Sequence, residues 1–501
     1  MPTSRIHLCI LQPAGHVHAL GFIDQARFFR YQFRRLGAEV SIGKNRLRHD
    51  AINFVFGSHA GFDESLKARF RCVFVNLEQL GAGGAAVAPA YLHLLATSAV
   101  VDYDSANVQA YRGADLTANL TAGHGAGRSA DVPLVSFGHA PYLHDEHVLP
   151  LEQRPIDVLF YGSTNERRLQ LLRQIEATGC KVGMLKFGIF GPERDEEIRR
   201  AKAVFNCHFY DTARFEQARA FQCLSLGTPM VSERTPFTTS PAQFDDSVFW
   251  VETEHIQSFF AKEFGAADFT ARAREKLAAF SAHDVLDQYA AVLDHARNYF
   301  GNRTISSAPW QPERLHIGSG RQYMPGWFNV DILAQAEPDA LLDLSQPLEL
   351  PARIESPMLG PVELRAGSLD FVYANNVLEH VGDLPRLMTN CLHLLREGGQ
   401  MLIEVPYEKS LGAWQDPTHV RAFNENSWTY YAQWFWYLGW FEARFEMVSF
   451  DYLDEKLAVC AREAAHFMRV CLQKVATTAE ERSTARSVRA DFGGLPDDEI
   501  A

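Results

Sequence analysis

A chain of 501 residues has room for about three domains, and its 47% apolar content is ample for large cores. Its net charge of −13 speaks against a nucleic-acid partner, since neutralising phosphates needs a basic face. The eight cysteines are scattered without a C-x-x-C pair and read as buried free thiols of a reducing compartment. No apolar run approaches the roughly 18 residues of a membrane-spanning helix.

The first elements alternate. Ile6 to Leu11 is expected as a strand rather than a signal-peptide core, so the chain is expected to be cytoplasmic. Pro13 to His18 follow as a loop, and Gly21 to Leu36 as a helix with an aromatic face, capped by Gly37. Glu39–Ile42, Ile52–Gly57 and Val73–Asn76 are short apolar strands, and Val132 to Pro141 crosses to a second lobe. Asp102-Tyr103-Asp104 can hold a divalent ion on a diphosphate or serve turn chemistry. His16, His18 and His139 are candidates for a cleft between the lobes, and equally for structural roles.

The second lobe opens with the strand Ile156 to Phe160, running into Tyr161-Gly162-Ser163. Arg167 and Arg168 then begin a helix. A strand-to-helix turn with free N–H groups beside arginine is an anion site; the alternative is a plain turn with solvated arginines. A helix through Phe215 to Leu226 ends at Gly227, and a strand follows Pro229.

On this last segment the region of residues 5 to about 280 resembles GT-B glycosyltransferases of the spore-coat type. Arg219, Phe221, Leu224 and Gly227 match that group's helix, and Gln222 stands where the family has a glutamate on the donor ribose. The resemblance implies a nucleotide-sugar donor held by Gly162, Ser163, Arg167, Arg219 and Gln222, with no metal. Glu216, one and a half turns earlier, either compensates for Gln222 or lies on a solvated face.

A linker is expected over about 296–311, with Ser306-Ser307-Ala308-Pro309 as its loop. Beyond it, the strand Leu315-His316-Ile317 runs into Gly318-Ser319-Gly320, and the next strand ends in Asp331. Glycines at a strand end let backbone approach a ligand, and an acid at the neighbouring strand end can hold a ribose diol. Another acid, Asp343, precedes Leu344, and can equally be a turn residue or a helix N-cap. Leu369 to Asn375 reads as a strand, Leu384 to Leu395 as a helix stopped by Gly398-Gly399, and Met401 to Val405 as a further strand. This order is that of a doubly wound parallel sheet.

Residues 312 to about 460 resemble a class I S-adenosylmethionine-dependent methyltransferase, on "LHIGSG…PGWFNVD", "SLDFVYANNVLEHV" and "LREGGQMLIEVP". By resemblance, Gly318 and Gly320 lie on the methionine portion of the cofactor, Asp331 binds its ribose, and Asp343 with Leu344 flanks the adenine. Asn375 and Asn376 then face the sulfonium and the substrate. Tyr323 replaces the third glycine of the usual run, and Asp331 follows Gly318 more closely than the roughly 20 residues of the dinucleotide pattern. In the loop Asp416 to Arg421, His419 is the candidate general base with Asp416 orienting it, or else a hydrogen-bonded strut. His380 reads as structural or catalytic.

The cluster Trp428, Tyr430, Tyr431, Trp434, Phe435, Trp436, Tyr437, Trp440 and Phe441 suits core packing or a sugar-stacking platform. A helix through Phe467 and Cys471 and a frayed acidic tail over 476–501 are expected to close the chain. The resulting expectation is an α/β chain of three Rossmann-like lobes: 1–145 and 146–295 form a GT-B-like unit, and 312–475 form a methyltransferase domain. Its function would be sugar and methyl transfer to a small-molecule or glycan substrate, with the oligomeric state left open. The alternative is a methyltransferase whose first half is a degenerate, non-catalytic sugar-binding module.

Overall fold

The structure is a computed structural model that describes residues 5–12, 21–81, 83–115, 132–186, 188–210, 212, 214–301, 306 and 308–491. His16 and His18 lie outside the described residues, as does the acidic end beyond 491. The chain divides into two compact units, Met1–Ser306 and Ser307–Ala501.

The first unit holds two five-stranded parallel sheets. In the first, β1 (Arg5–Ile10), β2 (Glu39–Lys44), β3 (Ile52–Phe56), β4 (Arg71–Val75) and β5 (Ala99–Val101) lie in the order β2-β1-β3-β4-β5. In the second, β6 (Ile156–Phe160), β7 (Val182–Met184), β8 (Ala201–Asn206), β9 (Met230–Arg234) and β10 (Phe249–Glu252) lie in the order β10-β9-β8-β6-β7. Both orders are the same doubly wound pattern, with its switch point between the first and third strands.

Their core is strongly aromatic. The helix Phe22–Arg35 buries Phe28, Phe29 and Phe33, and Tyr289 meets Phe29 edge-on at a centroid distance of 5.0 Å. The segment after residue 132 does pass between the two lobes. Val135 donates its N–H to the Asp102 carbonyl at the first sheet, and Phe137 stacks on Phe221 at 4.8 Å in the second lobe.

The second unit is a seven-stranded sheet of β11 (Arg314–Ile317), β12 (Phe328–Asp331), β13 (Ala340–Leu341), β16 (Leu369–Asn375), β17 (Leu395–Pro406), β18 (Ala443–Leu453) and β19 (Phe467–Ala476). A separate antiparallel hairpin, β14 (Ala352–Ser356) with β15 (Gly360–Leu364), interrupts the sequence. The sheet order is β13-β12-β11-β16-β17-β19-β18, with β19 antiparallel to both of its neighbours.

Three expectations are corrected. Phe467 and Cys471 lie on β19, not on a helix; Met468, Val470 and Leu472 are buried at the two-residue period of a strand. Gly398-Gly399 does not cap a helix but sits inside β17, at an irregularity of its pairing with β16. Residues 479–491, placed in the tail, form a helix with Ala485 buried.

All eight cysteines are free thiols, with Cys180 and Cys460 partly exposed. Among the described residues no helix is long and apolar enough to cross a membrane.

His7 on β1 gives the first unit a titration signature. Its ring bonds the Ser41 hydroxyl at 2.8 Å and the Arg46 carbonyl at 3.0 Å. Burial pushes its pKa down from 6.5 to about 4; Arg48 and Arg46 push the same way, and the carbonyl and Asp50 oppose them. A depressed value means stability that is present above pH 6.5 and is lost as the pH falls towards 4. Urea unfolding of wild type and His7→Asn at pH 7.5 and 4.5 is expected to show wild type losing on the order of 3 kcal/mol more than the variant on acidification. An equal loss in both contradicts this role for His7.

Candidate functional site

In the second unit the switch point lies between β11 and β16. Ligands of open α/β sheets sit outside the carboxyl ends of the strands at this place. Gly318 and Gly320 follow β11 with φ of +62° and +48°. A Cβ on Gly318 would stand 2.3 Å from Val377 Cγ2, so only glycine brings backbone this close.

Asp331 ends β12 almost fully buried. Gly320 donates its N–H to Asp331 Oδ2 at 2.8 Å, and Leu333 donates to Oδ1 at 2.9 Å. One carboxylate therefore ties the glycine turn to the following strand end. Each oxygen keeps a lone pair for a further donor. Beside it Ile332, Leu333 and Leu341 are exposed at 67%, 50% and 59%.

The other expected cofactor residues are spread around this end of the sheet. Asp343 is exposed and accepts from the Ser345 N–H and hydroxyl at 2.9 and 2.6 Å, which lowers its pKa. Those bonds are turn chemistry. Leu344 is buried, and its carbonyl accepts from Asn390 at 2.8 Å. Asn375 ends β16 half-buried, and Asn376 takes a left-handed φ of +51°. Such a conformation in a non-glycine residue is stored strain of the kind that gathers at functional sites.

The loop after β17 returns to this edge. His419 lies with its Nε2 3.9 Å from Asp416 Oδ2, while its Nδ1 is 3.0 Å from the Ala413 carbonyl. Asp416 is engaged instead by Thr418, whose N–H and hydroxyl reach Oδ1 at 2.8 and 2.6 Å. Asp416 is therefore a loop organiser and not the close partner that an orienting acid would be. His380 packs edge-on against His419 at 4.7 Å. Glu379 lies beside them, 1% exposed, with neither oxygen bonded to another residue. Burial pushes its pKa up to about 7. Sequence reasoning passed over Glu379, because only the tertiary structure buries it.

In the first unit the second sheet carries a cavity of about 460 Å³ at its switch point, lined by Tyr161, Gly162, Ser163, Lys186, Arg168, Arg194, Glu216 and Arg219 among others. Gly162 has φ +121°, and a Cβ there would meet Arg219 Nη2 at 2.7 Å. Glu216 bridges Arg168 and Arg219, each at 2.7 Å. Burial opposes its ionisation, yet the two guanidinium groups hold its pKa below the usual value.

Two expected donor residues are placed elsewhere. Arg167 is paired with Glu233, which is fully buried, and it also bonds the His208 carbonyl; Arg168, one residue later, turns to the cavity. Gln222 is buried and donates to Asp195 Oδ1 at 2.8 Å; it is not among the lining residues.

Asp102 is buried, accepts from Asn76 and Asn107 at 2.9 Å each, and has its pKa pushed up to about 6 by burial. Asp104 accepts from the Ala106 N–H and pairs with Arg214. Both acids of the Asp-x-Asp are thus occupied by turn and helix-start bonds. His139 packs on Phe280, and burial lowers its pKa.

Residues 201–442 match the family model described as a methyltransferase domain. The match starts in β8 of the first unit, and its remainder covers the second unit as far as the residue before β18. Within the second unit the match takes in β11 to β17 of the seven-stranded sheet and the hairpin β14–β15.

Among solved structures the chain is similar to a SAM-dependent methyltransferase from Archaeoglobus fulgidus, at 16% identity and TM-score 0.23, over 37% of this chain and 93% of that one. It is also similar to HepE from Anabaena, crystallised with UDP and glucose, at 14% identity and TM-score 0.36, over 59% of this chain and 100% of that one. No curated protein matches the chain.

The close approach at Gly318 sets a prediction for the second unit. Gly318→Ala adds a methyl group against Val377 at a left-handed position, so the transition in urea should lose about 1–3 kcal/mol. Unchanged stability would mean that the turn is not packed as described.

Proposed function

We propose that the methyltransferase domain takes S-adenosylmethionine at the β11–β16 switch point and passes its methyl group to a small molecule or glycan. One observation carries this reading: a glycine turn whose N–H groups face the strand end where Asp331 keeps lone pairs free, beside three exposed apolar side chains. Gly318 and Gly320 would hold the methionine portion, Asp331 the ribose hydroxyls, and Ile332, Leu333 and Leu341 the faces of the adenine. Asp343 and Leu344 would close the adenine end, and Asn375 would face the sulfonium.

Bound S-adenosylmethionine supplies an electrophilic methyl group on a sulfonium. The chain's own work is to fix donor and acceptor in line and to exclude water. His419, with Nδ1 held by the Ala413 carbonyl, has its other nitrogen available to accept a proton from a hydroxyl acceptor. Asp416 organises that loop.

We further propose that the first unit binds a nucleotide-sugar at the cavity beside Gly162 and Ser163, lined by Lys186 and by Arg168 and Arg219, which share the single lining acid, Glu216. Sugar transfer from that donor, in glycan biosynthesis, is the first reading. A second is favoured by Gln222 and Arg167, which are already bonded to Asp195 and Glu233: a module that binds the sugar without transferring it. Release of nucleoside diphosphate across a panel of nucleotide-sugars separates the two, since a binding module releases none.

Titration calorimetry tests the methyl-donor reading. Wild type is expected to bind S-adenosylmethionine, and Asp331→Ala to bind it at least about tenfold more weakly, about 1.4 kcal/mol. Equal affinity in the two proteins rejects the role of Asp331.

A further inference from the structure

Glu379, His380 and His419 form a group whose geometry the proton-transfer reading leaves unexplained. One ligand atom from each lies within 4.8 Å of the others. Glu379 is 1% exposed and both its oxygens lack a partner in another residue. A buried carboxyl without hydrogen bonds costs free energy, and native structures ordinarily satisfy such groups.

The hydrogen bonds around the two rings fix their tautomers. His419 Nδ1 lies 3.0 Å from the Ala413 carbonyl, which can only accept, so this nitrogen carries the proton. Thr418 gives its one hydroxyl proton to Asp416 Oδ1 at 2.6 Å. Its oxygen, 2.9 Å from His380 Nδ1, must therefore accept from the ring, and the Thr418 carbonyl at 3.4 Å accepts from it too. Both rings thus keep the lone pair on Nε2. Orientation of a ring through Nδ1–H to a carbonyl or hydroxyl is how metal-ligating histidines are held.

The frame around them is tied down. Val420 donates its N–H to the Glu379 carbonyl at 2.8 Å, and Arg421 bonds the carbonyls of Val381 and Gly382 at 2.8 and 2.7 Å.

We infer that Glu379, His380 and His419 form a binding site for one first-row divalent transition-metal cation; with that cation bound, His419 Nε2 is a ligand and no longer the proton acceptor. Two imidazoles and a carboxylate suit Zn²⁺, Co²⁺, Fe²⁺ or Mn²⁺ and leave coordination positions open. Ligands about 2.1 Å from one cation in a tetrahedral array stand about 3.4 Å apart, so a set held within 4.8 Å draws together by up to about 1.4 Å on binding. Asp416 adds negative charge at the rim, 3.9 Å from His419 Nε2.

The site lies four residues past Asn375 at the end of β16. Its open positions therefore suit an oxygen-bearing acceptor, such as a hydroxyl or a vicinal diol. That assignment of the acceptor rests on the methyl-transfer reading; the cation site does not.

Co²⁺ is the probe, because its visible absorption reports ligand number and type. The full chain, freed of metal by a chelator and without S-adenosylmethionine, is titrated with CoCl₂. One equivalent is expected to bind, with His380→Gln and Glu379→Gln each weakening it at least about tenfold. His255→Gln, in the exposed group Glu252, Glu254 and His255, is expected to leave that absorption unchanged. Far-ultraviolet circular dichroism confirms folding, and the exposed His380 provides the variant least able to disturb it. No bound Co²⁺, or binding that survives both substitutions, overturns the inference. Such a failure leaves S-adenosylmethionine binding intact, so the two readings fail separately.

Discussion

The carboxylate of Asp331 is the constraint on which the second unit's site depends. Among the described residues no helix lies between β11 and β12, so no helix N-terminus points into the switch point there. The turn must instead be held by hydrogen bonds. Ser319 donates to the Val330 carbonyl at 3.1 Å, Gly320 donates to Asp331, and Leu333 closes on the same carboxylate. The acid thus serves twice, ordering the turn that brings backbone close and presenting the lone pairs that a diol needs. Asn329, two residues earlier on β12, is held by a similar set of bonds. Its side chain bonds the Met324 and Trp327 carbonyls, while Asp339 accepts from both its backbone and side-chain nitrogens.

The first unit solves a different electrostatic problem. Its cavity is rich in arginine, yet most of that charge is balanced internally. Arg167 faces Glu233, Arg168 and Arg219 share Glu216, and Arg194 pairs with Asp24 and Asp195. Removing one partner of such a buried pair strands the other. The residues that shape the cavity are therefore also residues that hold the lobes together: Asp24 comes from the first lobe's helix, and Arg194 from the second lobe. A ligand entering this cavity would have to rearrange bonds already made, because the arginines are already paired.

The parts of the fold that the sequence discloses are those where burial and chain direction agree. The parallel strands β1, β3, β4 and β6 are mostly apolar runs because helices or loops cover both faces. β19 was hidden because Phe467 and Cys471 are four residues apart and mimic a helical stripe; its alternation, buried at Met468, Val470 and Leu472, only stands out once β17 and β18 flank it. The glycine pair at 398–399 has the composition of a helix stop but the position of a strand irregularity. Arg167 and Arg168 differ by one helical step of about 100°, and nothing local says which one meets Glu233. Glu379 was illegible for the same reason: its missing partners are a property of the loop from Asp416 to Arg421, which folds over it from nearly forty residues away.

A crystal structure of the full chain grown with S-adenosylhomocysteine tests the central claim most directly. The account predicts the nucleoside at the β11–β16 switch point, with the ribose hydroxyls on Asp331, the Gly318–Gly320 turn against the amino-acid portion, and the base between Leu333 and Leu341. A nucleoside bound elsewhere, or a ribose that leaves the Asp331 carboxylate untouched, would contradict it.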